Sequence, residues 1–172
     1  MTSSPTADVS VRIAWADDAA AIAAVQARAW GSAYDVDPEA LATAWSESLR
    51  RPGDARNRVL VALERNRVVG YAVVSPADDP DCDPVADAEL RELVVDAGER
   101  RRGHGSRLLQ AVADTLRADR FTRAVTWTSA TDDDLRGFLA DAGWGADSAH
   151  RELDLDGTGA TTVKQVRLHT AL

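Results

Sequence analysis

An apolar run, an arginine- and glycine-rich loop and an amphipathic helix follow one another without a break between Leu93 and Leu116. Leu93, Val94 and Val95 read as the end of a β-strand. Arg100, Arg101, Arg102, Gly103, His104, Gly105 and Ser106 read as a loop opening into a helix, because Leu108, Leu109, Val112 and Leu116 recur at helical period. Gly103 and Gly105 lack Cβ atoms where the backbone must turn tightly and approach a ligand. The N–H groups of the first helical turn have no carbonyl partner within the helix, and with the helix dipole they attract an anion. Arg100, Arg101, Arg102 and Arg107 add positive charge. The arrangement suits a pyrophosphate; the plainer alternative is a solvated arginine cluster ahead of an ordinary helix.

Two nucleotide motifs do not fit. A P-loop needs a Lys-Ser/Thr pair after its last glycine, but Gly105 is followed by Ser106 and Arg107, and the only lysine is Lys164. A dinucleotide fingerprint needs a third glycine, and Leu108 stands at that place. A formal net charge of −8 opposes nucleic-acid binding. Cys82 is the single cysteine, so an internal disulfide and a thiolate metal cage are excluded, and His104, His150 and His169 lack metal-ligand spacing. No metal is expected. No apolar run is long enough to span a membrane and no signal peptide is evident, which predicts a cytoplasmic protein with no membrane partner.

The chain reads as a leader over residues 1–8 and a single domain over 9–172, a length that buries roughly 70% of the unfolded surface. Strands are expected at residues 9–14, 59–63, 68–75, 89–95, 124–129, 148–155 and 162–170. Helices are expected from 19 to about 34, at 38–50, 103–118 and 132–142. Asp17 or Asp18 can cap the first helix and Asp132 the last, and Gly143 suits the residue after it. Residues 76–87, with five aspartates and three prolines, read as a solvated loop.

The spacing Arg100-x-x-Gly103-x-Gly105, five residues after Val95, resembles the acetyl-CoA-binding motif of the GCN5-related N-acetyltransferase (GNAT) family. Val11-Arg12-Ile13 with the alanine-rich helix after it resembles the family's opening strand and helix. Phe138-Leu139 followed by Gly143-Trp144 resembles its closing signature. The resemblance implies a mixed α/β sheet of about seven strands, splayed at its centre, with about four helices on its two faces. It implies acetyl-CoA as acyl-donor cosubstrate, held by Leu93, Val94, Val95, Arg100, Arg101, Arg102, Gly103, His104, Gly105, Ser106, Asp132 and Phe138. It also implies an amine acceptor, small molecule or peptide, in a pocket built from the first two helices and the last hairpin. Trp30 and Tyr34 are candidates there; Trp45 belongs to the same two helices, and His150 and Arg151 to the hairpin. A homodimer is a habit of the family.

Acyl transfer to an amine needs a group that removes the amine's proton. Glu89 and Glu92 are the candidates, and strand alternation points them to opposite faces, so one of them reaches the amine. The base-bearing members of the family carry a glutamate eleven residues before the motif arginine, which is Glu89 here. The other readings are a Glu89 paired with an arginine, and Glu92 as the base. Leu139 stands where the family often has a tyrosine acting as general acid. That departure motivates a second function, a catalytically silent acyl-CoA-binding regulatory module.

Overall fold

The computed structural model describes residues 8–31 and 35–172. Tyr34, the far end of the first expected helix and most of the expected leader lie outside the described residues. The elements run β1 (Val9–Ile13), α1 (Ala19–Trp30), α2 (Pro38–Arg50), β2 (Arg58–Glu64), β3 (Arg67–Pro76), β4 (Asp87–Val95), α3 (His104–Ala118), β5 (Arg123–Ser129), α4 (Asp133–Asp141), β6 (Gly145–Asp154) and β7 (Thr162–Ala171). The seven strands are hydrogen-bonded in the order β1-β2-β3-β4-β5-β7-β6, mixed because β4 and β5 run parallel. This is the sheet that the sequence predicts. Two compact units divide the chain: residues 1–75 with 92–115, and residues 76–91 with 116–172.

In the first unit β1, β2 and β3 form an antiparallel meander. The β2–β3 turn is made by Arg65 and Asn66, both at positive φ (49° and 65°). A two-residue hairpin loop needs that geometry to match the strand twist. Leu60, Val61, Ala62 and Leu63 are all buried, a continuous run expected of a strand covered on both faces. Ile22 and Val25 of α1 pack with Val61, Leu63, Val68 and Tyr71, and Trp45 and Leu49 of α2 close over them. Trp45 meets Tyr71 edge-on at 5.3 Å, and its Nε1 donates to Gln26 Oε1 at 2.7 Å. Asp37 caps α2 by accepting from the Glu39 N–H at 3.0 Å.

The expected side-chain cap of α1 is absent. Asp18 instead accepts from the Trp15 N–H at 2.7 Å and takes the Arg12 guanidinium at 2.7 and 3.0 Å. The arginine holds its carboxyl below the usual carboxylate range. A short 3-10 turn at Ala16–Asp18 supplies the first helical hydrogen bonds, so the carboxylate is committed before α1 begins.

In the second unit β5, β7 and β6 are antiparallel. The parallel β4–β5 ladder runs over Asp87–Glu89 and Arg123–Val125. At the next step the Thr126 hydroxyl donates to the Leu90 carbonyl at 2.7 Å. A side chain thus does there what a backbone N–H does along a regular ladder. Asp132 caps α4 through the Leu135 N–H at 3.1 Å. Gly143 closes it at φ +94°, where Trp144 N–H returns to the Leu139 carbonyl at 3.0 Å. Leu139 and Trp144 are buried.

Gly70 of β3 was not marked by any sequence motif. A Cβ there would lie 2.7 Å from the Val94 carbonyl and 3.3 Å from both Val95 Cα and Leu108 Cδ1. Backbone cannot yield as a flexible side chain can. Gly70→Ala is therefore expected to destabilise the protein by about 1–3 kcal/mol through overpacking, read as a lower urea midpoint with unchanged slope. A midpoint equal to wild type would show that β3 and β4 can separate without cost.

Candidate active site

The loop that leaves β4 is tied down by its acidic residues. Asp96 N–H donates to the Val69 carbonyl at 2.8 Å, and the Asp96 carboxylate takes the Arg28 fork of α1 at 2.7–3.2 Å. A 3-10 turn follows at Ala97–Glu99. Glu99 accepts from Arg67 at 2.6 Å and from Arg102 at 3.1 Å; Arg67, foremost, holds its carboxyl below the usual range. The chain then turns through Arg101 (φ +64°) and Gly103 (φ +81°) into α3. The expectation that both glycines make the turn is corrected: Gly105 already lies within α3, and the second left-handed residue is Arg101.

The four loop arginines are not equivalent. Arg102 is engaged by Glu99 and faces Glu64 at 3.5 Å. Arg107 folds back to donate to the Arg102 carbonyl at 3.1 Å, and its guanidinium lies 3.3–3.5 Å from where a Gly103 Cβ would stand. Arg100 and Arg101 are exposed and have no ion-pair partner among the described residues. Ser106 is exposed, whereas the His104 ring is buried, its Nε2 3.3 Å from Glu64 Oε2. His104 therefore faces the protein with its imidazole and leaves its backbone N–H to the helix terminus. Two uncommitted guanidiniums, the first-turn amides of α3 and a left-handed Gly103 fit a pyrophosphate group.

The second unit builds a different environment around Glu89. The register sets Glu89 beside Val125 and Trp127 beside Arg167, so alternation along β5 puts Glu89 and Trp127 on one face. Glu89 is 6% exposed. Its Oε2 lies 3.5 Å from Arg91 Nη1, while Arg91 also faces Asp78 at 3.3 Å. Burial pushes the Glu89 carboxyl above its ordinary range; Arg91 opposes this, Asp78 and Asp79 add to it, and Arg151 opposes it more weakly. Glu92 is held otherwise. It accepts the Tyr71 hydroxyl at 2.6 Å, and burial raises its pKa while that hydrogen bond lowers it.

Residues 76–87 are not simply a solvated loop. Asp79 Oδ2 accepts from Trp127 Nε1 at 2.9 Å and from Arg167 Nη1 at 3.1 Å. Arg167, 4% exposed, also donates to Asp81 at 2.7 Å and to Asp147 at 2.6 Å. Nothing in the sequence pattern linked Arg167 to this loop, 86 residues away from Asp81. Trp127 is half-buried with Arg151 stacked on it at 4.2 Å. Trp30 is 40% exposed, Phe138 is half-buried, and Asp132 is exposed apart from its capping bond.

The chain belongs to the acetyltransferase (GNAT) family, whose family profile matches residues 19–144. Over 62 residues it is 40% identical to a mycothiol acetyltransferase from Thermomonospora curvata, a stretch covering 36% of this chain and 19% of that relative. The chain thus matches about a fifth of that relative's length. Its fold is similar to that of the Salmonella typhimurium protein yncA, solved with its cofactor acetyl-CoA (TM-score 0.71, 20% identity, 96% of this chain and 94% of that one). It is likewise similar to the ribosomal-protein-alanine N-acetyltransferase of Brucella melitensis (TM-score 0.75, 21% identity, 95% and 99% covered). Among the described residues no helix is long and apolar enough to cross a membrane.

The Arg167 cluster predicts an acid-sensitive stability. Removing the cation with Arg167→Met leaves Asp79 and Asp147 without it and is expected to cost about 3–5 kcal/mol at pH 7. Arg167 lowers the Asp81 carboxyl to about 2. A depressed carboxylate stabilises the fold above its unfolded value of ~3.9 and stops doing so as the pH falls through the folded value. The gap between wild type and Arg167→Met should therefore narrow from pH 4 towards pH 2 in urea titrations. A gap independent of pH over that range would contradict the electrostatic account.

Proposed function

We propose that the protein moves an acetyl group from acetyl-CoA to a primary amine of a small molecule or peptide by direct transfer, with Glu89 as general base. The observation that carries this reading is the loop before α3 in a chain of this family. Its acidic residues are spent on Arg28, Arg67 and Arg102, which leaves Arg100, Arg101 and the helix terminus for the CoA phosphates. Asp132 and Phe138 remain candidates along the rest of that ligand, and Trp30 and Tyr34 for the acceptor.

A free alkylamine resembles lysine, pKa ~10.4, and is protonated at neutral pH. Glu89 accepts that proton, directly or through a water. The amine nitrogen then bonds to the acetyl carbon, the C–S bond breaks, CoA leaves as its thiolate, and the second proton of the attacking nitrogen passes to that thiolate or to solvent. A buried carboxylate with a raised pKa is a better base than an ordinary one. Glu92 is less suited, because its carboxylate already holds the Tyr71 hydroxyl. Leu139, 1% exposed, offers no proton to the leaving sulfur. Departure without an acid is reasonable for a thiol comparable with cysteine at ~8.5. The same Leu139 is the observation that favours the second reading, an acyl-CoA-binding module without turnover.

Calorimetry with acetyl-CoA, on wild type and on the Gly103→Glu/Gly105→Glu variant, tests the donor site. Binding by wild type and its loss in a folded variant is the expected result; no binding by wild type would sink both readings. Thiol release across an amine panel separates them, since the silent module releases none.

Glu89→Gln should lower kcat about 10²–10⁴-fold while retaining acetyl-CoA binding. Wild-type activity should fall on the acid side as Glu89 becomes protonated, at a pH above that of an ordinary carboxylate. A Glu89→Gln enzyme with wild-type kcat removes Glu89 from the role.

A further inference from the structure

Among the described residues, one cation on the Glu89 face keeps its terminal donors open. The Arg151 Nε donates to Gln165 Oε1 at 2.7 Å, and its guanidinium lies over the Trp127 ring at 4.2 Å. Trp127 is itself fixed by Asp79 through its Nε1. The plane of Arg151 is thus held by two neighbours before any ligand arrives. Among the described residues its ion-pair neighbour is Asp79 Oδ1, 4.0 Å from Nη1, too far for a hydrogen bond. The side chain is 37% exposed. The other cations of this face are already committed: Arg167 to three aspartates, Arg123 towards Asp87 and Asp147, and Arg91 to Asp78 and Glu89.

A planar, preorganised guanidinium with a free fork recognises a carboxylate by two parallel hydrogen bonds. Its surroundings also bear on the other end of such a ligand. Asp78, Asp79 and Glu89 lie around the same spot and favour a cation. Positive and negative groups set side by side match a zwitterion, in which ammonium and carboxylate are separated by few bonds.

We propose that Arg151 binds the carboxylate of the acyl acceptor, so that the acceptor is an amino acid or a similarly compact amino carboxylate whose amine faces Glu89. This deepens the acyltransfer reading and rests on it for the role of Glu89. The carboxylate itself takes no part in the chemistry. Arg151 is a specificity residue: it acts on ground-state binding and leaves the proton transfer to Glu89.

The test is equilibrium binding, by calorimetry in the presence of CoA, of the standard L-amino acids and of their primary amides. Wild type should bind at least one acid tenfold or more tighter than its amide. Arg151→Gln should abolish that preference by weakening the acid while leaving the amide unchanged. Arg151→Lys, which keeps the charge without the fork, should fall between the two and serves if the glutamine variant does not fold. In turnover the loss should appear in KM for acids, with kcat nearly unchanged, a split that a general structural defect would not produce. Amides bound as well as acids, a preference that survives in Arg151→Gln, or no amino acid bound by wild type each overturn the proposal. Glu89→Gln separates it from the function reading. If that variant turns over normally with the acid preference intact, the base role falls and carboxylate recognition stands.

Discussion

A guanidinium at 4% exposure has to be surrounded by charge of opposite sign, and that requirement organises the second unit around Arg167. An isolated buried cation is costly, so three carboxylates from two stretches of chain converge on it. Asp79 and Asp81 come from the loop before β4, and Asp147 comes from β6. Their convergence anchors a loop that composition alone would leave in solvent. The same Asp79 fixes Trp127, and Trp127 in turn supports Arg151. Glu89 therefore sits on a face whose polar groups are held by one another.

The first unit solves a related problem at an exposed loop. Four arginines crowd one loop, and their mutual repulsion would splay it if all were free. Asp96, Glu99 and Glu64 take up Arg28, Arg67 and Arg102, while Arg107 turns back on its own backbone. What stays uncommitted is a small, directed positive charge at the start of α3. The His104 ring is turned away from it, buried with its Nε2 3.3 Å from Glu64.

Most of the fold could be read from periodicity and turn chemistry. Helix α2 spans the residues where the sequence predicts it, and the turn between β2 and β3 falls between the two strands expected there. Strand ends moved by one to three residues, because pairing with a neighbouring strand extends a ladder beyond its apolar residues. Asp87 joins β4 in this way, and Gly145 joins β6. The expected Asp18 cap failed for a local reason: Arg12 and the Trp15 N–H compete for the same carboxylate and win. Gly70 gave no signal, since the atom that forbids a side chain there belongs to Val94, 24 residues further along the chain.

By itself the sequence determined the element order, the family, and the crowding of arginines and glycines in the loop between Val95 and α3, because each depends on residues close in the chain or on a short motif. It also named Glu89 and Glu92, though not their environments. Only the tertiary structure decided that Glu89 is buried beside Arg91 while Glu92 holds Tyr71, that Arg100 and Arg101 are the uncommitted cations, and that Arg151 lies stacked and open. Those distinctions depend on which charges meet across tens of residues. Burial and pairing, which set the reactivity of a charged group, are properties of the assembled neighbours rather than of the residue type.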